Sequence, residues 1–251
     1  MYLDQFLNYL KNERNFSKKT IKSYLSDVNQ FFLFNNVKLS KIQSNDIRGW
    51  IISLKESGLE SVTINRKISS LRSYFKLCKR ESWIKQDPSQ KIKLLAVKKR
   101  LPNFFSESSM KNLFSEVKFP NNFTGARDRL ILELFYSTGI RVSELVDLKK
   151  NQFNLTSKTL IVFGKGRKER IIPLLNNVIE NFKIYMKFRS NMKSNYLFLT
   201  VNSEKTYSKL IYRVVNEYLG KVTTISKKSP HILRHTFATH LLNRGADINT
   251  I

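Results

Sequence analysis

The sequence predicts a mostly α-helical protein with one small β-hairpin, divided into two domains. Three observations support this: apolar residues recur at helical spacing along most of the chain, two short β-rich runs flank a glycine-containing turn at 164–169, and a basic, proline-containing stretch without helical periodicity separates two structured parts. The chain has 251 residues, of which 41% are hydrophobic and 18 are Phe. This content is enough to build two cores and excludes disorder for most of the chain.

Residues 1–84 are expected to form an N-terminal four-helix domain. The clearest helix runs over 17–34, where apolar residues follow an i, i+3, i+4, i+7 pattern and Ser17 stands at the N-cap position. The other three helices are expected at about 3–12, 46–56 and 62–79. Short connections between them favour a compact bundle.

The last of these helices has two distinct faces. Ile64, Ile68, Leu71 and Phe75 form its apolar stripe, and the basic residues predicted to bind DNA project from the opposite side: Arg66, Lys76 and Arg80. Such a face can lie on phosphates, although an ordinary solvated helix face has the same composition.

Residues 85–103 are interpreted as a basic linker between the domains, because they contain two prolines and no sustained helical period. Three consecutive basic residues in it are further candidates for DNA contact: Lys98, Lys99 and Arg100. A linker of this charge between two basic domains is typical of a clamp around a duplex, and a plain connector is the alternative.

Residues 104–251 are expected to form a mixed α/β domain. Helices are predicted at 106–117, 125–137, 174–189, 207–220 and 230–243, with Gly139 suited to the left-handed residue that ends the second of them. The β-rich runs 160–163 and 170–174 predict a hairpin whose tip carries Lys165, Arg167 and Lys168. These side chains are candidates to enter a DNA groove, or they are solvated turn residues.

Net charge points to a polyanionic partner. The chain contains 45 Lys and Arg against 19 Asp and Glu, a formal charge of +26. Residues 1–100 hold 21 basic and 8 acidic side chains, and residues 101–251 hold 24 and 11, so each part carries +13. An even division excludes a single basic tail and favours nucleic acid as the partner of both domains, while a basic surface without such a role remains an alternative.

Cellular location is indicated by what the chain lacks. Its one cysteine, Cys78, permits neither an internal disulfide nor a cysteine cluster for zinc. No apolar stretch is long enough to span a bilayer, and the N-terminus has no cationic segment typical of a signal peptide. We therefore expect a soluble cytoplasmic protein with no membrane partner.

The string TGIRVSEL contains the first candidate for phosphate chemistry. Arg141 follows a glycine turn at the start of a new helix and can direct a planar guanidinium at a phosphate, with Glu144 one turn later as a supporting partner. A modest surface ion pair between the two is the alternative.

The string SPHILRH contains the second candidate. Ser followed by Pro favours a helix start, so His231 and Arg234 lie three residues apart on one face of the first turn. An imidazole that moves a proton beside a guanidinium that binds phosphate suits phosphoryl transfer. A histidine that packs on the core next to a paired arginine is the alternative.

Taken together, these residues favour metal-free chemistry on a phosphodiester. Two arginines, Lys165 and His231 supply the cations that neutralise the non-bridging oxygens and the acid that a departing 5′-hydroxyl requires. Two-metal catalysis would require clustered carboxylates, whereas the 19 acidic residues are scattered. A metal-dependent nuclease is therefore disfavoured.

Three strings in a fixed order, TGIRVSEL, GKGRKERIIPL and SPHILRHTFATHLLNRGAD, resemble the tyrosine recombinase family, and within it the Xer-type recombinases and related phage integrases. The resemblance covers nearly the whole chain and implies a SAM-like core-binding domain followed by a recombinase catalytic domain. It implies that Arg141 and Arg234 bind the scissile phosphate, that Lys165 protonates the 5′-hydroxyl, and that His231 assists the proton transfer.

The resemblance also implies the reaction and its partners. Such enzymes cut one DNA strand at a time through a 3′-phosphotyrosyl intermediate, in chromosome-dimer resolution or DNA integration. They use no metal and no nucleotide cofactor, so the resemblance implies that this chain needs no cofactor. The implied partners are double-stranded DNA with a specific site, recombinase protomers in a homo- or hetero-tetramer, and a DNA translocase that activates them. The implied location is the nucleoid.

The nucleophile is where the sequence departs from the family pattern. All ten tyrosines precede His231, so none stands where the family has its nucleophile, and the catalytic domain is expected to be incomplete and unable to cleave DNA unaided. Three hypotheses follow: a recombinase lacking its nucleophile region, a truncated DNA-binding or regulatory module, and a type IB topoisomerase, against which the N-terminal domain argues.

Overall fold

The computed structural model describes residues 2–97, 103–164 and 169–247. The chain divides into two compact units, residues 1–100 and 101–251. The predicted catalytic residue Lys165 lies outside the described residues. So do five of the predicted DNA contacts: Lys98, Lys99, Arg100, Arg167 and Lys168.

In its described residues, 2–97, the first unit has four α-helices, as the apolar periodicity predicts, and a short 3-10 helix, Leu39–Lys41. The α-helices are α1 (Leu3–Asn8, continued by a π-helical turn over Tyr9–Glu13), α2 (Lys18–Asn35), α3 (Ser44–Glu56) and α4 (Ser61–Arg80). Ser17 caps α2, because its hydroxyl accepts a hydrogen bond from the backbone N–H of Thr20 at 3.2 Å. The predicted stripe of α4 is fully buried, which confirms that this face packs on the core: Ile64, Ile68, Leu71 and Phe75.

Residues 85–97, in the stretch predicted as a linker, are attached to the first unit. The side chain of Asn65 donates to the carbonyl of Leu95 at 2.9 Å and accepts from its N–H at 2.8 Å. Ser44 donates to the Pro88 carbonyl at 2.7 Å, and Ile92 is buried in the core. These contacts satisfy backbone groups that an extended segment would otherwise expose to solvent.

The second unit combines helices with a small antiparallel sheet. Its helices are α5 (Glu107–Ser115), α6 (Phe123–Thr138), α7 (Val142–Asp147), α8 (Asn176–Phe188), α9 (Ser208–Gly220) and α10 (Pro230–Asn243). Strands β1 (Phe153–Asn154), β2 (Thr159–Phe163) and β3 (Glu169–Pro173) pair in the order β1-β2-β3. The hairpin β2–β3 is the predicted one, with Leu160 opposite Ile172, whereas β1 is too short to give a sequence signal.

Helix α6 is central to the second unit. It contacts α8, α9 and α10, and most of its side chains are buried, including Leu130, Ile131 and Phe135. Gly139 ends the helix in the left-handed conformation, at φ 56°, as the sequence predicts. The chain therefore turns sharply between α6 and α7, and this turn leads to Arg141.

Candidate functional site

Arg141 is fixed by the first turn of α7. It is the N-cap residue of that helix, and Glu144 is the third helical residue. The Glu144 carboxylate accepts from the backbone N–H of Arg141 at 2.8 Å and from its Nη1 at 2.8 Å. The spacing of Arg141 and Glu144 thus has a structural cause: the acid caps the helix and holds the arginine. Arg141 nevertheless keeps 52% of its side chain exposed.

A second arginine, Arg170 on β3, holds the other side of the same carboxylate. Its Nη1 and Nη2 donate to Glu144 Oε1 and Oε2 at 3.0 and 2.8 Å, a bidentate pair. The Glu144 side chain is only 4% exposed. Burial by itself would raise the pKa of this carboxyl, but the hydrogen bonds from Arg170 and Arg141 outweigh it and hold the pKa below its ordinary value.

Arg234 approaches the same region from α10. Its Nη1 donates to the carbonyl of Gly139, in the turn that precedes Arg141. Burial, together with the positive charges of Arg141 and Arg170, lowers the pKa of the Arg234 guanidinium. Three arginines are therefore close enough to repel one another, with one carboxylate among them.

His231 lies one turn before Arg234 and is exposed. The helix N-terminus is formed by Ser229 and Pro230, as predicted, so His231 emerges on the first turn of α10. Its ring lies 6.4 Å from that of Tyr212, which is partly exposed.

One cleft of about 1170 Å³ in the second unit is lined by four of these basic residues: Arg141, Arg170, His231 and Arg234. The rest of its lining includes apolar side chains of α10 and β3. Tyr136 is the one tyrosine among the described lining residues, and its hydroxyl is hydrogen-bonded to Nδ1 of the buried His240 at 3.0 Å. Burial, followed by the charge of Glu107, raises the pKa of Tyr136.

The structure thus brings together three of the four predicted catalytic residues, Arg141, His231 and Arg234, with the supporting Glu144 behind Arg141. Lys165 lies outside the described residues. Sequence reasoning missed Arg170, which is 26 positions from the carboxylate that it binds. Its only sequence signal is an arginine within a short alternating strand, which does not reveal the partner.

The predicted DNA-binding residues of α4 have different surroundings. Arg66 is paired with the buried Asp27, and Arg80 with both Glu13 and Glu81. Lys76 is exposed and has no ion pair among the described residues. Carboxylates therefore already neutralise two of the three basic residues on this face, and Lys76 is the one best placed to contact a phosphate.

Comparison with known proteins defines the class. The family model described as "Phage integrase family" matches residues 103–251, and "Phage integrase, N-terminal SAM-like domain" matches residues 3–82. The chain therefore belongs to the phage integrase family and is by family a tyrosine recombinase, a DNA strand transferase, which confirms the resemblance read from the three motifs.

Its relatives narrow the class to the Xer type. The chain is 40% identical to the protein named tyrosine recombinase XerC of Staphylococcus carnosus strain TM300, over 99% of this chain and 86% of the relative. It is 38% identical to tyrosine recombinase XerC of Staphylococcus aureus strain USA300, over 99% and 85%.

Solved structures agree on the fold. The XerH site-specific recombinase bound to palindromic difH substrate has a TM-score of 0.77 at 22% identity, over 99% of this chain and 76% of that one. The Tn1549 transposon integrase in complex with circular intermediate DNA has a TM-score of 0.77 at 21% identity, over 100% and 90%. The mostly helical fold with a small sheet is therefore that of tyrosine recombinases.

Within the part of the chain that the structure describes, no helix combines the length and the apolar character needed to cross a membrane.

Proposed function

We propose that the chain binds double-stranded DNA at a specific site and takes part in site-specific recombination, with Arg141 and Arg234 binding the scissile phosphate. The observation that carries this proposal is the shared cleft, in which Arg141, at the start of α7, meets His231 and Arg234 of α10. Each guanidinium donates a hydrogen bond to the protein from Nη1, which fixes its position. Its other N–H groups can bind an anion.

The reaction that this arrangement serves is transfer of a phosphoryl group without a metal. The bond from phosphorus to the 5′-oxygen breaks while a bond forms from phosphorus to the oxygen of a tyrosine that loses its proton, which gives a 3′-phosphotyrosyl intermediate. The arginines stabilise the charge that develops on the non-bridging oxygens. Lys165 donates the proton to the departing 5′-oxygen, and His231 assists this transfer.

All ten tyrosines of the sequence precede His231, and we propose that none of them is the nucleophile of this reaction, so that the chain binds DNA but does not cleave it unaided. A DNA-binding or regulatory module without catalysis is the alternative.

Affinity for the duplex is proposed to come from the basic surface of both units. Lys76 contributes a phosphate contact, whereas Arg66 and Arg80 contribute less, because carboxylates already neutralise them in part. The basic residues outside the described ranges remain predicted DNA contacts. An ammonium group on a phosphate releases about one counterion, so binding should be strongly salt-dependent.

The assembly is proposed to contain four recombinase protomers on two paired duplexes, identical or of two kinds, because each protomer cuts one strand. The proposed role is chromosome-dimer resolution at the nucleoid, with a DNA translocase as activator, and DNA integration is the alternative role. The similarity to proteins named tyrosine recombinase XerC supports the recombinase activity on which both roles depend.

The decisive experiment replaces single phosphates of the bound duplex. A binding site is first selected from randomised duplexes, and each phosphate near its centre is then replaced by an uncharged methylphosphonate. We expect one replacement per half-site to weaken binding by the parent chain, and the same replacement to weaken binding less in Arg141→Ala, because one of the two guanidinium groups that sense the charge is then missing.

Arg244→Gln is the matched control. Arg244 also lines the cleft, but it is exposed and paired with Glu107, so this variant should keep the discrimination of the parent chain. Equal binding of phosphate and methylphosphonate duplexes by the parent chain, at every position tested, would show that the cleft does not hold a DNA phosphate.

A further inference from the structure

The Glu144 carboxylate is saturated with hydrogen bonds. Oε1 accepts from Nη1 of Arg141 at 2.8 Å and Nη1 of Arg170 at 3.0 Å, and Oε2 accepts from the backbone N–H of Arg141 and Nη2 of Arg170, both at 2.8 Å. An ionised carboxylate offers about four such positions. Arg170 thus fills the half of the carboxylate that Arg141 leaves open.

The two arginines use their donors differently. Arg170 donates from both terminal nitrogens to Glu144, and its side chain is 34% exposed. Among the described residues, Arg141 donates side-chain hydrogen bonds from Nη1 alone, and it is 52% exposed. The planar fork of Arg170 is therefore occupied by a carboxylate, whereas most of the fork of Arg141 is available to an anion in the cleft.

The balance of charge also shows that Arg170 and Arg141 act differently. With Glu144 alone for a partner, the charge of Arg141 would be balanced by a buried carboxylate, and the cleft would attract a phosphate less strongly. Arg170 offsets that carboxylate, so the group formed by Arg141, Arg170, Arg234 and Glu144 carries three positive charges and one negative. This excess complements an anion that gains negative charge in the transition state.

From this geometry we infer that Arg170 is a positioning residue of the recombinase site: it binds Glu144 from the side opposite Arg141, so that Glu144 orients Arg141 without neutralising it. The inference rests on the proposed function, since it assigns to the cleft a phosphate bound by Arg141 and Arg234. Arg170 itself does not touch the phosphate.

The test measures binding of inorganic phosphate to the whole chain by NMR, followed on the side-chain Nε–Hε signals of Arg141 and Arg234. These signals report the cleft separately from the many other basic side chains. Arg170→Gln should weaken phosphate binding at this site about fivefold, which is the effect expected for one charge lost at this range in a partly solvated site. Its Arg141 signal should also shift, because Glu144 then has only Arg141 for a partner.

A second variant distinguishes positioning from direct contact. Arg170→Gln combined with Glu144→Gln removes one positive and one negative charge, and an amide oxygen at position 144 can still accept from the N–H of Arg141. Phosphate affinity should therefore rise above that of Arg170→Gln, by about fivefold at most. If the double variant binds phosphate no better than Arg170→Gln, Arg170 contacts the anion directly and the inference is wrong. Unchanged affinity in Arg170→Gln would also overturn it.

Arg170→Lys and Arg80→Gln complete the design. Arg170→Lys keeps the charge but loses the bidentate geometry, so an affinity between those of the parent chain and Arg170→Gln is expected, and an affinity below that of Arg170→Gln contradicts the inference. Arg80→Gln removes an arginine that is likewise bidentate with a carboxylate, but in the first unit, and should leave phosphate binding at Arg141 unchanged. A weaker affinity in Arg80→Gln as well would show a general charge effect and refute the positioning role.

Failure of the proposed function gives a different result. In that case phosphate does not shift the Arg141 and Arg234 signals of the parent chain, or Arg141→Ala binds phosphate as the parent does. A phosphate site that depends on Arg141 but responds to none of the Arg170 variants leaves the proposed function intact and refutes the positioning role alone.

Discussion

Among the residues that the structure describes, each unit has one buried carboxylate shared by two cations, Asp27 in the first and Glu144 in the second, and the two clusters differ in what lies around them. In the first unit, Asp27 is 2% exposed and is bound by Arg66, by Lys67 at 3.1 Å and by the hydroxyl of Ser70 at 2.8 Å. Lys67 is itself buried and lies 5.7 Å from the centre of the Trp50 ring.

In the second unit, the cations around Glu144 are instead directed to a cleft. Arg141 is half exposed there, and Arg234 adds a further positive charge without adding a carboxylate. The comparison shows that shared hydrogen bonds do not make a site by themselves. A buried ion cluster becomes a candidate binding site where a further cation lies beside it without a carboxylate of its own and one cation faces a cavity.

The largest loss of stability is expected from Asp27→Asn, in the cluster of the first unit. The substitution leaves the buried ammonium of Lys67 without its counter-charge, and breaking a buried pair in this way costs about 3 to 5 kcal/mol. Both tryptophans, Trp50 and Trp83, belong to the first unit, so urea unfolding followed by tryptophan fluorescence reports that unit. Glu13→Gln, at an exposed pair, should leave the midpoint nearly unchanged.

A smaller loss is expected from Glu144→Gln, about 1 to 3 kcal/mol, because charge-assisted hydrogen bonds to two partly exposed arginines are lost. The pKa of Glu144 is lower in the folded chain than in the unfolded one, so its contribution is full above the unfolded pKa and disappears as the pH falls through the folded value.

Hydrogen exchange of α7 amides from pH 7 down to pH 3 would measure this contribution. The difference between Glu144→Gln and the parent chain should narrow as the solution becomes acidic. A difference that stays constant over this range would mean that the carboxylate charge is not what stabilises the turn.

Gly139→Ala tests whether the turn maintains the cleft. An alanine at φ 56° adopts a conformation disfavoured by about 1 to 2 kcal/mol, and its Cβ would meet the ring of Phe237 at 2.5 Å. We expect a loss of at least that size in thermal unfolding and weaker phosphate binding, because the Gly139 carbonyl also anchors Arg234. Gly220→Ala is a useful control, since its Cβ would meet no atom within 4 Å.

The smallest effect is expected from Arg66→Gln. The Arg66 side chain is 42% exposed, and when its guanidinium is removed Asp27 keeps Lys67 and Ser70 as partners. The unfolding free energy should therefore fall by no more than about 1 kcal/mol. Binding of inorganic phosphate at Arg141 should not change. A loss as large as that of Asp27→Asn would show that the cluster around Asp27 depends on its exposed cation. That result would contradict the difference between the Asp27 and Glu144 clusters.

The sequence predicts the local parts of both units well. The N-cap Ser17, the apolar stripe of α4 and the left-handed Gly139 each follow from interactions within one or two helical turns. The pair of Arg141 and Glu144 is also local, because the two residues are three positions apart and the acid caps the helix that the arginine begins. Such features depend on backbone geometry, which the spacing of residue types reveals.

The sequence therefore reveals the net charge, the order of the motifs and the local helix caps. It also indicates the class of chemistry that two arginines and a histidine can perform. The tertiary structure decided which charges meet. Arg170 reaches Glu144 across 26 residues, and Arg66 reaches Asp27 across 39, because strand pairing in one unit and helix packing in the other bring them together. No periodicity encodes such pairs, since the free energy that selects them comes from burying the whole core rather than from the residues themselves.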